Sequence, residues 1–235
     1  MKILALDSTA QAATVALCEN EHLLGEYTIN NGNTHSETLL PMVESLLRFF
    51  ELTPKDIDLF AVSAGPGSFT GVRIGASTVK GLAFAMNKPC VGVSTLEALA
   101  QNLEGFEGLI CPVMNARRKQ VYTALFRQKN GVRERLMPDS AISIAELDQI
   151  LVQYSGEPIY LCGDGYEITQ DNLSTPVQCT PERLRPQSAY SVARIAYNSY
   201  LAGDACDDQA LAPTYLRPSQ AERERVERES HKINI

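Results

Sequence analysis

The stretch Leu59-Phe60-Ala61-Val62-Ser63-Ala64-Gly65-Pro66-Gly67-Ser68-Phe69-Thr70-Gly71 decides the class of fold. A short apolar run of strand character enters a glycine-rich turn, and from Thr70 to Met86 the main polar heads, Arg73, Ser77 and Lys80, return at helical spacing. A strand that turns directly into a helix is the unit of α/β architecture. Upstream, Ile3-Leu4-Ala5-Leu6 and Ala13 to Leu17 read as strands across the polar turn Asp7-Ser8-Thr9, and Leu23 to Thr28 as a third. Asn30-Asn31-Gly32-Asn33-Thr34 breaks the chain before a helix from about Ser36 to Phe50. Downstream, Val91 to Ser94 is strand-like and Leu96 to Leu103 helical. The order predicts one mixed α/β lobe over residues 1–103.

The second half repeats the style less cleanly. Leu109 to Met114 and Gln120 to Arg127 read as paired strands, Ile144 to Tyr154 as a helix, Ile159 to Cys162 as a strand, and Gly163-Asp164-Gly165 as a turn. Ser188 to Leu201 has helical periodicity and stops at Gly203. These define a second lobe over 104–217. Residues 218–235 form a terminal segment in which Ala221 to His231 is almost wholly charged with alternating sign, and it reads as a solvated helix or a frayed tail.

Composition narrows the function classes. A chain of 235 residues can bury a sizeable core, and no run approaches the roughly 18 apolar residues of a membrane helix. The N-terminus turns polar too soon for a secretory signal, so the expected location is cytoplasmic. The net charge of −7, with cations scattered except at Arg117-Arg118-Lys119, argues against tight direct binding of nucleic acid. That basic trio reads as a solvated turn. Cys18, Cys90, Cys111, Cys162, Cys179 and Cys206 show no Cys-x-x-Cys, and His22, His35 and His231 no paired spacing, which predicts thiols in a reducing compartment and no metal site in this chain.

Two turns could carry chemistry. Asp7-Ser8-Thr9 places a carboxylate and two hydroxyls at a strand end, where they could hold hydrated magnesium near a phosphate; the same residues also form self-satisfying Asx and ST turns. In the second turn, Gly65 and Gly67 with Ser68 and Thr70 could bring backbone N–H groups to an anion at a helix N-terminus. The other reading is a tight strand-to-helix turn with Ser68 or Thr70 as N-cap.

Both helices look buried on more than one side. At about 100° per residue, Leu39, Leu40, Met42, Val43, Leu46, Leu47, Phe49 and Phe50 cover close to half of the first helix. The second carries Gly71, Gly75, Ala76, Gly81, Ala83 and Ala85, which permit close approach. We expect a partner interface here, with Leu39, Met42, Val43, Leu46, Leu47, Phe50, Gly71 and Gly75 as candidates.

The string Ser63 to Gly75, the opening Leu4-Ala5-Leu6-Asp7-Ser8-Thr9, Gly92-Val93-Ser94-Thr95-Leu96, Val121-Tyr122, Gly163-Asp164-Gly165 and Pro213-Thr214-Tyr215-Leu216-Arg217 together resemble the TsaB (YeaZ) family over nearly the whole chain. The resemblance implies a two-lobed actin/hexokinase-like (ASKHA, ribonuclease H-like) α/β fold with mixed sheets flanked by helices. It also implies a non-catalytic subunit of the bacterial complex that makes N6-threonylcarbamoyladenosine at position 37 of tRNAs reading ANN codons. The implied partners are the catalytic paralogue TsaD, bound through the two N-terminal helices, and the ATPase TsaE. Transfer RNA would then be reached only through the complex, ATP and magnesium would belong to the complex rather than this chain, and the chain alone would form a homodimer.

In the paralogue, the segment resembling Gly92 to Leu99 carries a metal-binding His-x-x-x-His pair; here those places hold Thr95 and Leu99. Family members commonly show Asp where this chain has Asn115, and no role is assigned to Asn115, Arg117 or Arg118 on that basis. The competing reading is an independent ATPase or phosphotransferase of the same superfold, using Asp7 and the Gly65–Gly71 turn. A metallopeptidase is set aside because the ligands are missing.

Overall fold

The structure, a computed structural model, describes residues 1–32 and 34–217. The charged segment 218–235 lies outside the described residues. Two sheets carry the fold. The first contains β1 (Lys2–Asp7), β2 (Ala13–Glu19), β3 (His22–Ile29), β4 (Leu59–Gly65) and β5 (Cys90–Ser94), in the order β3-β2-β1-β4-β5. β1 pairs antiparallel with β2, and β2 with β3, while β1–β4 and β4–β5 are parallel. This is the mixed sheet flanked by helices that was expected of the first lobe.

Both faces of the sheet are covered, which is why its central strands read as unbroken apolar runs. Leu4, Leu6, Val15, Leu17, Phe60 and Val62 point to one face, beneath α1 (His35–Phe49) and α2 (Phe69–Met86). Ile3, Ala5, Ala16, Cys18, Leu59 and Ala61 point to the other, beneath Ala189, Val192, Ala193 and Ala196 of α6 (Ala189–Ala202). β3, β4 and β5 run the same way, so α1 and α2 are successive crossovers lying side by side in the same sense.

The second sheet contains β6 (Gly108–Asn115), β7 (Gln120–Lys129), β8 (Val132–Ser143) and β9 (Ile159–Cys162), ordered β8-β7-β6-β9. α3 (Thr95–Gln101) wedges between the sheets: Leu96, Leu99 and Ala100 pack on Ile110, Met114 and Phe126, while Ala98 joins the α6 side of the first sheet. α4 (Ile144–Leu151) and α5 (Tyr166–Gln170) cover the outer face.

Two sequence expectations change. β8 is an unforeseen edge strand; Arg135 on it binds both Glu97 and Asp139, tying it to α3. The chain beyond Ala189, grouped by position with the 104–217 lobe, returns to the first sheet. α6 packs there, Cys206 pairs with Cys90, and the Thr214 N–H donates to the Ala64 carbonyl at 2.7 Å. Cys18, Cys90, Cys111 and Cys162 are buried, Cys206 half-buried and Cys179 exposed, all as free thiols. Among the described residues no helix is long and apolar enough to cross a membrane.

Candidate functional site

Asp7 ends β1 with its carboxylate wholly buried. Its Oδ1 accepts from the Thr9 backbone N–H at 2.8 Å and the Thr9 hydroxyl at 2.7 Å, and Oδ2 accepts from Ser63 Oγ. Burial raises the carboxyl above its ordinary range, and the Ser63 and Thr9 hydrogen bonds, with His35 nearby, offset part of that rise. Both oxygens are thus engaged by neighbours within the fold, as in the Asx/ST-turn reading.

The glycine turn fits against this first turn. Ser8 Oγ donates to the Gly71 carbonyl at 2.9 Å, and the Ser68 N–H donates to the Thr9 carbonyl at 2.7 Å. A Cβ on Gly67 would lie 2.6 Å from the Thr9 oxygen, one on Gly71 2.0 Å from the Ser8 oxygen, and one on Gly75 2.7 Å from Ser8 Oγ. At Gly65, where φ is 116°, a Cβ would meet the Thr214 oxygen at 2.3 Å. The glycines therefore admit the chain's own backbone. Ser68 is the N-cap of α2, accepting from the Gly71 N–H at 3.3 Å, and Thr70 faces solvent.

Close enough to Asp7 for their charges to interact is Asp164, in the turn after β9, a turn the sequence reading quoted without giving Asp164 a site role. Its side chain is open to solvent, yet the protein crowded around it pushes its carboxyl up to about 6, with Asp7 and Glu167 adding to the rise. It accepts from the Asn115 N–H at 3.3 Å. Thr95 and Leu99, the places of the paralogue's metal pair, are fully buried at the start of α3 and in the core between α3 and the second sheet. Thr95 Oγ1 has no hydrogen-bond partner. Among the described residues there is no group of three or more His, Cys, Asp and Glu side chains that could hold a metal.

The helix pair corrects the expected interface residue by residue. Leu39, Met42, Val43, Leu46 and Leu47 lie in the core between α1 and the first sheet and cannot meet a partner without leaving it. Gly71 and Gly75 face Ser8, and Phe50 is half-buried against Gly25 of β3. The exposed apolar groups of the pair are others: Phe49 at 75 % exposure, Phe84 at 73 % and Leu40 at 47 %. Because the helices run the same way, Phe49 and Phe84 come to the same end of the layer. Gly81, one turn before Phe84, is open on its outer side. The apolar arc was legible in sequence, but its inner part is core.

Comparison with known proteins adds family information. The model of the tRNA N6-adenosine threonylcarbamoyltransferase family, TsaD, matches residues 22–224. A curated protein of Bacillus subtilis (strain 168), tRNA threonylcarbamoyladenosine biosynthesis protein TsaB, is 33 % identical over 97 % of this chain and 99 % of its own length. Its namesake in Escherichia coli (strain K12) is 31 % identical over 94 % and 96 %. Among solved structures, a Pseudomonas aeruginosa protein described as similar to peptidase YeaZ superposes with a TM-score of 0.79 at 26 % identity, covering 92 % of this chain and 99 % of that one.

Proposed function

The chain belongs to the TsaB family of tRNA threonylcarbamoyladenosine biosynthesis proteins, and from that premise we propose that it is a non-catalytic subunit that binds and supports a TsaD-like paralogue and helps recruit a TsaE-like ATPase. The observation carrying this reading is the outer face of the helix pair, where Phe49 and Phe84 stand exposed at one end while the inner face is core. Apolar groups grouped in this way favour burial against another protein. With the paralogue absent, the same face pairs two copies of this chain.

The non-catalytic part draws on the sites themselves. Both oxygens of Asp7 are held by Thr9 and Ser63, and the glycine turn is filled by Thr9, Ser8 and Thr214. An independent ATPase or phosphotransferase built on these residues would first have to open that packing. ATP, magnesium and transfer RNA accordingly enter through the complex.

The test is reconstituted tRNA modification with this chain, its paralogue and the ATPase, omitting each in turn. The expected result is modification that requires this chain and none by this chain alone. Full modification without it, or enzyme-like ATP hydrolysis by the chain alone that is lost on Asp7→Asn, would replace the subunit reading with the independent enzyme.

A further inference from the structure

Between β6 and β7 the chain turns through Arg117, Arg118 and Lys119, with φ of 63°, 53° and 56°. The left-handed region is unfavourable for a residue with a Cβ, and Asn and Asp tolerate it best. The other non-glycine residues with positive φ, Asn20, Glu51, Asn87 and Asn130, occur singly, and three of the four are Asn. Here three long cationic residues adopt it consecutively. Strain of this kind persists where surrounding structure enforces it.

That structure is visible. The Arg117 N–H donates to Asn115 Oδ1 at 2.8 Å, the Ala116 N–H to the Gln120 carbonyl at 2.9 Å, and the Ile144 N–H to the Lys119 carbonyl at 3.1 Å. The Arg217 guanidinium braces the turn from behind through the Ala116 carbonyl and Gln120 Oε1. None of these bonds uses the three cationic side chains. They are exposed and, among the described residues, make no hydrogen bond or ion pair. Every other described arginine except Arg183 makes one or the other. In a chain of net charge −7, the densest cationic cluster is thus built rigidly and left unneutralised.

We propose that Arg117, Arg118 and Lys119 form a contact site for the backbone phosphates of RNA. The inference rests on the family reading above, which brings RNA to the assembly. The three side chains are open to solvent, which suits a polyanionic strand better than a small phosphate needing an enclosed pocket. The site also adjoins α2. Tyr215 stacks on Phe69 at 4.7 Å and accepts from Arg73 Nε at 2.9 Å, and a single residue, Leu216, separates it from Arg217, at most about 7 Å of chain away.

The test uses the assembled complex with its TsaD-like partner and purified unfractionated transfer RNA, measured from about 50 to 200 mM salt. An Arg117→Ala/Arg118→Ala/Lys119→Ala variant should keep its melting temperature and its assembly. It should lose about tenfold or more in RNA affinity at low salt, and the slope of log K against log salt should shrink by about 2 to 3. Arg183→Ala should change neither. Unchanged affinity and slope in an assembled triple variant would overturn the proposal. Loss of assembly in that variant would mark the turn as a protein contact and overturn it as well. A wild-type chain that never joins the paralogue would instead overturn the family reading, and the proposal with it.

Discussion

Asp7-Ser8-Thr9 and Gly163-Asp164-Gly165 carry the same sign in sequence, a carboxylate among small residues at a strand end, but their carboxylates stand in opposite surroundings. Asp7 is buried and accepts three hydrogen bonds, while Asp164 is open to solvent and accepts one long bond from Asn115. The partners that close over the first turn, Ser63, Gly67 and Gly71, come from far along the chain. Whether such a carboxylate can meet a ligand is therefore set by what packs over it. In this chain the turn that most resembles a phosphate site is a packing joint, which moves the search for function to the surface.

The largest predicted effect breaks that joint. Gly71→Ala places a methyl 2.0 Å from the Ser8 oxygen and should cost about 3 kcal/mol in denaturant unfolding, at the upper end for overpacking. At Gly165 the nearest backbone atoms stand at 3.1 Å, so Gly165→Ala should cost clearly less. Equal losses at the two glycines would mean that the approach at Gly165 is as close as that at Gly71, whereas Gly163, where a Cβ would lie 2.1 Å from the Val113 oxygen, should be as intolerant as Gly71.

Next comes Asp7→Ala. It strands the Thr9 N–H and the Thr9 and Ser63 hydroxyls in a buried site, with an expected loss of about 2–3 kcal/mol. Asp164→Ala, at an open side chain, should stay within about 1 kcal/mol. A reversed order would mean that the second turn, rather than the first, is the sealed one.

The smallest effect is in the pH profile. The folded Asp164 carboxyl holds its proton to about pH 6, above the unfolded value near 4. The folded state therefore binds more protons between those values, and stability present below about pH 4 is lost as pH rises to about 6. Exposure of the side chain limits the amount to under about 1 kcal/mol. Asp164→Asn should flatten this part of the profile. Asp7, also raised, contributes in the same sense, while the lowered carboxyls of Asp56, Asp58 and Asp148 act in the opposite one.

Much of the fold was legible because the central strands are buried on both faces and the helices carry clear polar heads. β8 was not, since an edge strand needs no apolar alternation and tolerates Pro138 and its charged residues. The lodging of α6 on the first sheet was hidden because nothing local records a long-range contact. At the site, the glycine string announced a close approach, but not that the approaching group is the chain's own backbone. The apolar arc of α1 was visible, but its division into a core side and an outer side depended on where the sheet lay. Arg117 to Lys119 gave no warning of a left-handed turn, because their residue types normally avoid that conformation.

The proposed partner site is the outer face of the helix pair, and not its inner face. The most direct measurement is the affinity for the TsaD-like paralogue, with a melting curve on each variant. Phe49→Asp/Phe84→Asp should lose about 100-fold or more in affinity, as at interface hot spots, with an unchanged melt. Val43→Asp should unfold the chain by burying an unpaired charge. A Phe49→Asp/Phe84→Asp variant that binds the paralogue as tightly as the unaltered chain would contradict the account.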